Sequence, residues 1–230
     1  YYQQALALYE TLADQQGQAL MWGNLGQLEG LDDRSAAALA AHQRSLDLYR
    51  RAGAELDAGI AQVNLASALR TLERHDEAEA LYTAAIATGR RLGDLRLQDR
   101  ALGGLGILRS MQGRFAAARA LLSEALDLQR QRRDIHAQIE TLYKFGLVAR
   151  DEGQGYAQLA ETLQPAWDLA QEHDAGRWLV AMAWLLGDVA LDERLLLAYN
   201  AYATAAAVSA NQRGNIGTEI SLFSHRRAFA

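Results

Sequence analysis

Apolar side chains recur along this chain at i, i+3, i+4 and i+7, the spacing that lines one face of an α-helix. The stretches come in pairs. One pair runs from about Leu97 to Gln112 and from Phe115 to Arg132, with Gly113 between them. A chain that folds straight back on itself needs a residue tolerant of positive φ at that point, and Gly153 holds the same place one pair later. At the far end of the pairs stand Arg50-Arg51, Arg90-Arg91 and Arg132-Arg133, followed by Gly53, Gly93 or Asp134. Arginines in a last turn offset the negative end of the helix dipole, and Asp94 or Asp134 can cap the helix that follows.

The pairs repeat at a fixed period, which decides the architecture before any other property is weighed. Asn24-Leu25-Gly26 returns as Asn64-Leu65-Ala66, Gly104-Leu105-Gly106, Lys144-Phe145-Gly146 and Leu185-Leu186-Gly187, at spacings of 40, 40, 40 and 41 residues. Behind the small residue come Ala38, Ala78 or Ala118, then His42, Tyr82 or Leu122, then Ser45, Ala85 or Ala125. In the fourth copy these landmarks slip by one to Leu159, Leu163 and Ala166, because Gly153-Gln154-Gly155 carries an inserted residue. The small residues are expected where the two helices of a pair cross most closely. A single helix pair cannot bury its apolar face, so neighbouring pairs stack into a continuous core.

Composition narrows the picture. Alanine and leucine supply over a third of the 230 residues, aromatics 7%, and only one proline, Pro165, is present; this is the usage of a chain made of helices. With no cysteine, disulfide frameworks, cysteine-ligated metal sites and cysteine nucleophiles are excluded. A net charge of −5 argues against nucleic-acid binding and favours helix-end electrostatics as the role of the arginine pairs. No uncharged apolar run reaches the roughly 18 to 20 residues of a membrane span. No membrane association is expected, and a cytoplasmic location fits best.

Catalytic chemistry finds no foothold. His42, His75, His136, His173 and His225 lie far apart, outside any metal-ligand spacing. His42 occupies a position that packs between helices, and His75-Asp76-Glu77 reads as acidic residues at a helix N-terminus. Gly103-Gly104-Leu105-Gly106 imitates a phosphate loop but falls inside a helix, where it serves close packing or leaves room for a ligand. No catalytic residue, metal site or cofactor is expected.

The repeat pattern, small-aromatic-x-x-Leu-Gly, then Ala, a large residue and Ala, resembles the tetratricopeptide repeat in its longer form of about 40 residues. Its Asn-Leu-Gly openings and Gly-Asp or Arg-Asp junctions are similar to those of kinesin light chains, G-protein signalling modulators and bacterial multidomain regulators. The chain departs from that pattern where the family carries an aromatic near the end of the first helix, with Glu29, Leu69, Arg109, Ala149 and Ala190 instead. The resemblance implies an all-α, right-handed superhelical solenoid of antiparallel helix pairs, about twelve helices in one array. The expected units are an orphan second helix (1–13), five repeats (14–53, 54–93, 94–133, 134–174 and 175–213) and the first helix of a further repeat (214–230). Since the chain starts at Tyr1 within a helical pattern, it is expected to be an excerpt of a longer protein. Uncovered terminal helices would favour end-to-end self-association.

The same resemblance places the first helices along an inner groove that takes a peptide, a protein partner or another domain of the parent chain. The groove side chains are Asn24 and Gln27, then Asn64, Ser67 and Arg70, then Ile107 and Met111. Further along come Tyr143, Lys144, Leu147 and Arg150, and finally Trp184 and Asp188. In similar arrays asparagines at the positions of Asn24 and Asn64 hydrogen-bond a peptide backbone, for which an amide offers both donor and acceptor. Bonding to a neighbouring helix or water is the alternative. Lys144 is the only lysine among 23 basic residues, so an acidic ligand group or a solvated position are both open. Tyr143 and Trp184 suit hot-spot anchors or packing equally. A chaperone-tail carboxylate clamp is disfavoured, because its positions hold Gly23, Val63, Gly103, Tyr143 and Trp184. The expected function is a non-catalytic binding scaffold; the alternative is a ligand- or peptide-sensing segment of a bacterial signalling or transcription regulator.

Overall fold

The computed structural model describes residues 1–31, 34–193 and 203–204. Among the described residues it contains ten helices and no strand. Five form the first part of the chain: α1 (Tyr2–Thr11), α2 (Gln15–Leu31), α3 (Ser35–Arg51), α4 (Glu55–Thr71) and α5 (His75–Leu92). The others are α6 (Leu95–Met111), α7 (Phe115–Arg132), α8 (Ile135–Asp151), α9 (Tyr156–Glu172) and α10 (Gly176–Glu193). Ten helices thus stand where twelve are expected. The missing two, the second helix of the fifth repeat and the helix of 214–230, fall mostly or wholly outside the described residues.

The chain divides into two compact units, Tyr1–Leu108 and Arg109–Ala230. In the first, α2 packs on α3, α4 on α5, and α3 on α4, so each pair is closed by the next. The small landmarks sit at the crossings. A Cβ on Gly26 would come within 2.6 Å of the His42 ring, and Ala66 at the matching place is completely buried. Tyr82 is large enough to fill its crossing and reach the next first helix, where a Cβ on Gly104 would strike its ring. That explains a mid-helix glycine which by itself costs about 1 kcal/mol relative to alanine: it makes room for a fully buried aromatic.

The second unit repeats this logic with mostly apolar side chains, the buried Gln129 donating to Thr141 at 2.9 Å being an exception. Leu159, Leu163, Ala166, Trp167, Met182 and Leu186 form its main core, and Gly146 lies directly against Leu163. A smaller cluster joins Ala118, Leu122 and Val148 to Phe115 and Phe145.

The turns follow the glycine pattern with two refinements. Gly53, Gly93, Gly113 and Gly153 adopt φ of 67°, 69°, 71° and 83°. In the third copy, however, the left-handed residue is Arg133 (φ 56°) rather than Asp134. Asp134 is instead the N-cap, accepting the Ala137 N–H at 3.1 Å, just as Asp94 accepts the Leu97 N–H at 2.7 Å. The Asp94 cap starts α6 two residues before the apolar pattern does. The inserted residue lengthens the connection from Asp151 to Tyr156, where Gly155 is extended (φ −70°, ψ 171°), and α9 then runs unbroken through Pro165.

Candidate functional site

Within the first unit, α2, α3 and α4 line an open cavity of about 230 Å3. The pleating of the repeat brings four expected groove residues to its wall: Gln27 from α2, and Asn64, Ser67 and Arg70 from α4. The remaining wall is Gly26, Gly30, Ser35, Ala38, His42, Ala68 and Thr71. The glycines and alanines open the space, and the others give it hydroxyl and amide groups. Arg70 is the one charged side chain among the described lining residues.

The polar groups of this wall are held to different degrees. Ser67 Oγ and the Tyr82 hydroxyl share a 2.9 Å hydrogen bond, so Ser67 is anchored to the helix-crossing aromatic. Asn64 Oδ1 accepts a 3.1 Å hydrogen bond from Arg100 of α6, which leaves its N–H2 donors for other use. Thr71 Oγ1 donates to the Ser67 carbonyl at 3.2 Å, and Gln27 is exposed. His42 forms the floor. It is 6% exposed, its Nδ1 is buried without a partner, and burial holds its pKa below the usual histidine value. The ring therefore packs as a neutral group against Gly26, since charging it would strand a second N–H donor in the crossing.

In the second unit the expected groove residues fall on α8 and α10. Tyr143 packs against Trp178, ring centroids 5.5 Å apart and tilted by 49°. Its phenol pKa is raised, first by burial and then by the charge of Asp188, with Arg150 acting in the opposite sense. Arg150 pairs with Asp151 at 2.7 Å, and Asp151 also accepts a 3.0 Å hydrogen bond from Ser110. Lys144 is bound to Glu140 one turn back at 2.7 Å, which makes it a helix-surface ion pair. Leu147 packs on the core, whereas Trp184 and Met111 are 53% and 48% exposed. Asn24 on α2 and Ile107 on α6 are half-buried and do not line the cavity of the first unit.

Two participants lie outside the groove register. His42 and Trp178 come from a crossing position and from the first turns of α10, and only the fold shows that His42 shares the cavity wall with Gln27 and Asn64 and that Trp178 packs on Tyr143. Among the described residues no group of three or more histidine, cysteine, aspartate or glutamate side chains could hold a metal ion. None of the described helices is long and apolar enough to cross a membrane.

Residues 57–131 match the tetratricopeptide repeat. No curated protein matches the chain in sequence. Among solved structures, the apo form of RapI is similar over 92% of this chain and 90% of its own, at 11% identity and a TM-score of 0.66. A Rap protein complexed with competence and sporulation factor is similar over 90% of this chain and 59% of its own, at 13% identity and a TM-score of 0.71. BtubC from P. vanneervenii is similar over 76% and 71%, at 20% identity and a TM-score of 0.59. At these identities the likeness is one of fold.

Proposed function

We propose that the chain, whose residues 57–131 match the tetratricopeptide repeat, is a non-catalytic binding module whose first unit takes an extended peptide segment of a partner across α2 and α4. The observation that carries this reading is the cavity that gathers Gln27, Asn64, Ser67 and Arg70. Amide and hydroxyl groups beside small residues suit a peptide backbone, because they match both its donors and its acceptors and let it approach closely. Tyr143, Trp178 and Trp184 supply aromatic surface for partner side chains in the second unit.

The test is a fluorescent peptide library screened against the wild-type chain and against Gln27→Ala and Asn64→Ala. Each loss of a backbone hydrogen bond should weaken a bound peptide by about fivefold, the equivalent of about 1 kcal/mol. Trp184→Ala should weaken only those peptides that carry a large apolar residue. Binding that ignores all three substitutions would falsify the proposal.

A second reading, a peptide-sensing segment of a bacterial regulator, draws support from the similar Rap structure that holds competence and sporulation factor. Under that reading a bound peptide changes the affinity of the chain for its protein partner. Peptide and partner that bind with no mutual influence would exclude it, since coupling between sites is reciprocal.

A further inference from the structure

A second hollow lies away from that cavity, along the second helices. The space between α3 and α5 forms a trough of about 470 Å3. Its floor is Leu65 and Leu69 of α4, one turn apart and each under 5% exposed, which wedge between α3 and α5 from beneath. Leu39 and Leu81 flank the floor, and the exposed walls are Ala36, Ala40 and Ala80. Short walls over a leucine floor let another helix approach closely, as ridges enter grooves.

Register shows that this trough is not a feature every repeat carries. Forty residues on from Ala36, Leu39 and Leu69 stand Asp76, Glu79 and Arg109. Three apolar positions are thus charged in the next copy, so the apolar surface is not carried one repeat on. The rim is unevenly charged. Arg74 is neutralised by Glu77 through a paired contact at 2.7 Å, while Arg50 at the other end is exposed and has no ion-pair partner among the described residues.

We propose that this trough docks an amphipathic helix of a partner protein, with apolar side chains at i and i+4 entering between α3 and α5 and an acidic residue meeting Arg50. The leucine pair of α4 already fills the same inter-helix space from one side with that spacing. A partner helix enters from the open side in the mode of an apolar helix face in a groove. The unpaired guanidinium at one end sets its direction, since a carboxylate there gains a charged hydrogen bond. The partner is a helix rather than an extended peptide, because the walls are helices whose backbone groups bond within themselves, and the amide that lines the trough, Gln43, already donates to Asp47 at 3.0 Å.

The probe is a fluorescein-labelled alanine-based helical peptide carrying leucines at i and i+4 and a glutamate one turn beyond. Anisotropy should show saturable binding to the full chain. Ala40→Trp fills the trough at an exposed site and should weaken binding by about tenfold or more. Arg50→Glu should weaken it several-fold, and replacing the peptide glutamate by lysine should restore it to that variant. Asn64→Ala, in the inner cavity, should leave it unchanged, so failure here and failure of the inner groove are separable. Circular dichroism melts confirm that each variant folds. The proposal is overturned by absence of binding at millimolar peptide, by equal binding to Ala40→Trp, by equal binding of a proline-interrupted peptide, or by sedimentation showing that the trough is covered by a second copy of the chain.

Discussion

The two units carry the same register but fill it differently. At the crossing position the first unit has His42 and Tyr82, the second Leu122 and Leu163. One step later the first has Ser45 and Ala85, the second Ala125 and Ala166. The polar set must be satisfied locally: Ser45 donates to the Ala19 carbonyl at 2.8 Å, and the Tyr82 hydroxyl is bonded to Ser67. His42 Nδ1 alone stays unpaired. The leucines need no partner and simply pack. A cavity lined by amides and hydroxyls therefore opens beside the polar crossing, while the second unit is dominated by the continuous cluster around Trp167 and Met182. In a stacked array each repeat contributes its own stability, so the two units can be filled differently without sharing one core.

The strongest test of that contrast is in the apolar unit. Leu163→Ala removes a fully buried side chain from between α8, α9 and the main core. A loss of about 2–5 kcal/mol is expected, as for other buried leucine truncations. Hydrogen exchange resolved by segment should place the loss in residues of α8 to α10. A uniform loss across both units would mean that the chain unfolds as one body, contrary to local repeat energetics.

Next in size is Tyr82→Phe, which keeps the ring against Gly104 and removes only the hydroxyl shared with Ser67. It should cost about 1 kcal/mol, and Ser67→Ala a similar amount. The double variant should cost less than the sum, since both remove one hydrogen bond. Full additivity in a chemical denaturation cycle would show that the pair does not interact.

A smaller effect distinguishes the polar crossing by pH. Burial lowers the His42 pKa below 6.5, so the unfolded chain takes up a proton more readily than the folded one. The contribution from neutral His42 is present above the unfolded pKa and is lost as pH falls through the folded value. Denaturation midpoints of the first unit should therefore decline on acidification below about pH 6.5, and His42→Leu should flatten the decline. An unaltered slope in that variant would assign the pH dependence to other groups.

How much of this was visible beforehand follows from the range of each interaction. The helix pairs, crossings, caps at Asp94 and Asp134 and the acidic start of α5 are set by neighbours within a few residues or by the 40-residue period, and both are printed in the sequence. The site is different. Asn64 meets Arg100 and Ser67 meets Tyr82 across helices, and nothing in the spacing says which groove amide is left for a ligand. Lys144, open between a ligand contact and a solvated position on sequence grounds, is held by Glu140 one turn back. The i to i+4 spacing of that pair is itself present in the sequence.

The smallest expected effect also comes from register. Left-handed residues at the pair junctions recur as Ala13, Gly53, Gly93, Arg133 and Asp174, again 40 or 41 apart. Glycine occupies two of the five; the others hold the same conformation with a Cβ, which costs about 1–2 kcal/mol for an L-residue. Replacing Arg133 by glycine relieves that strain but gives the unfolded chain more freedom, by about 0.4–1 kcal/mol. A Cβ on Gly53 or Gly93 would meet nothing within 4 Å, so these turns are open and packing does not intervene. Arg133→Gly should then stabilise the chain by about 0.5 kcal/mol, and Gly93→Ala should destabilise it. Both signs can be read from thermal denaturation. If Arg133→Gly lowers the melting temperature, the turn geometry is held by something other than backbone conformation, and the equivalence of the junctions in the two units fails.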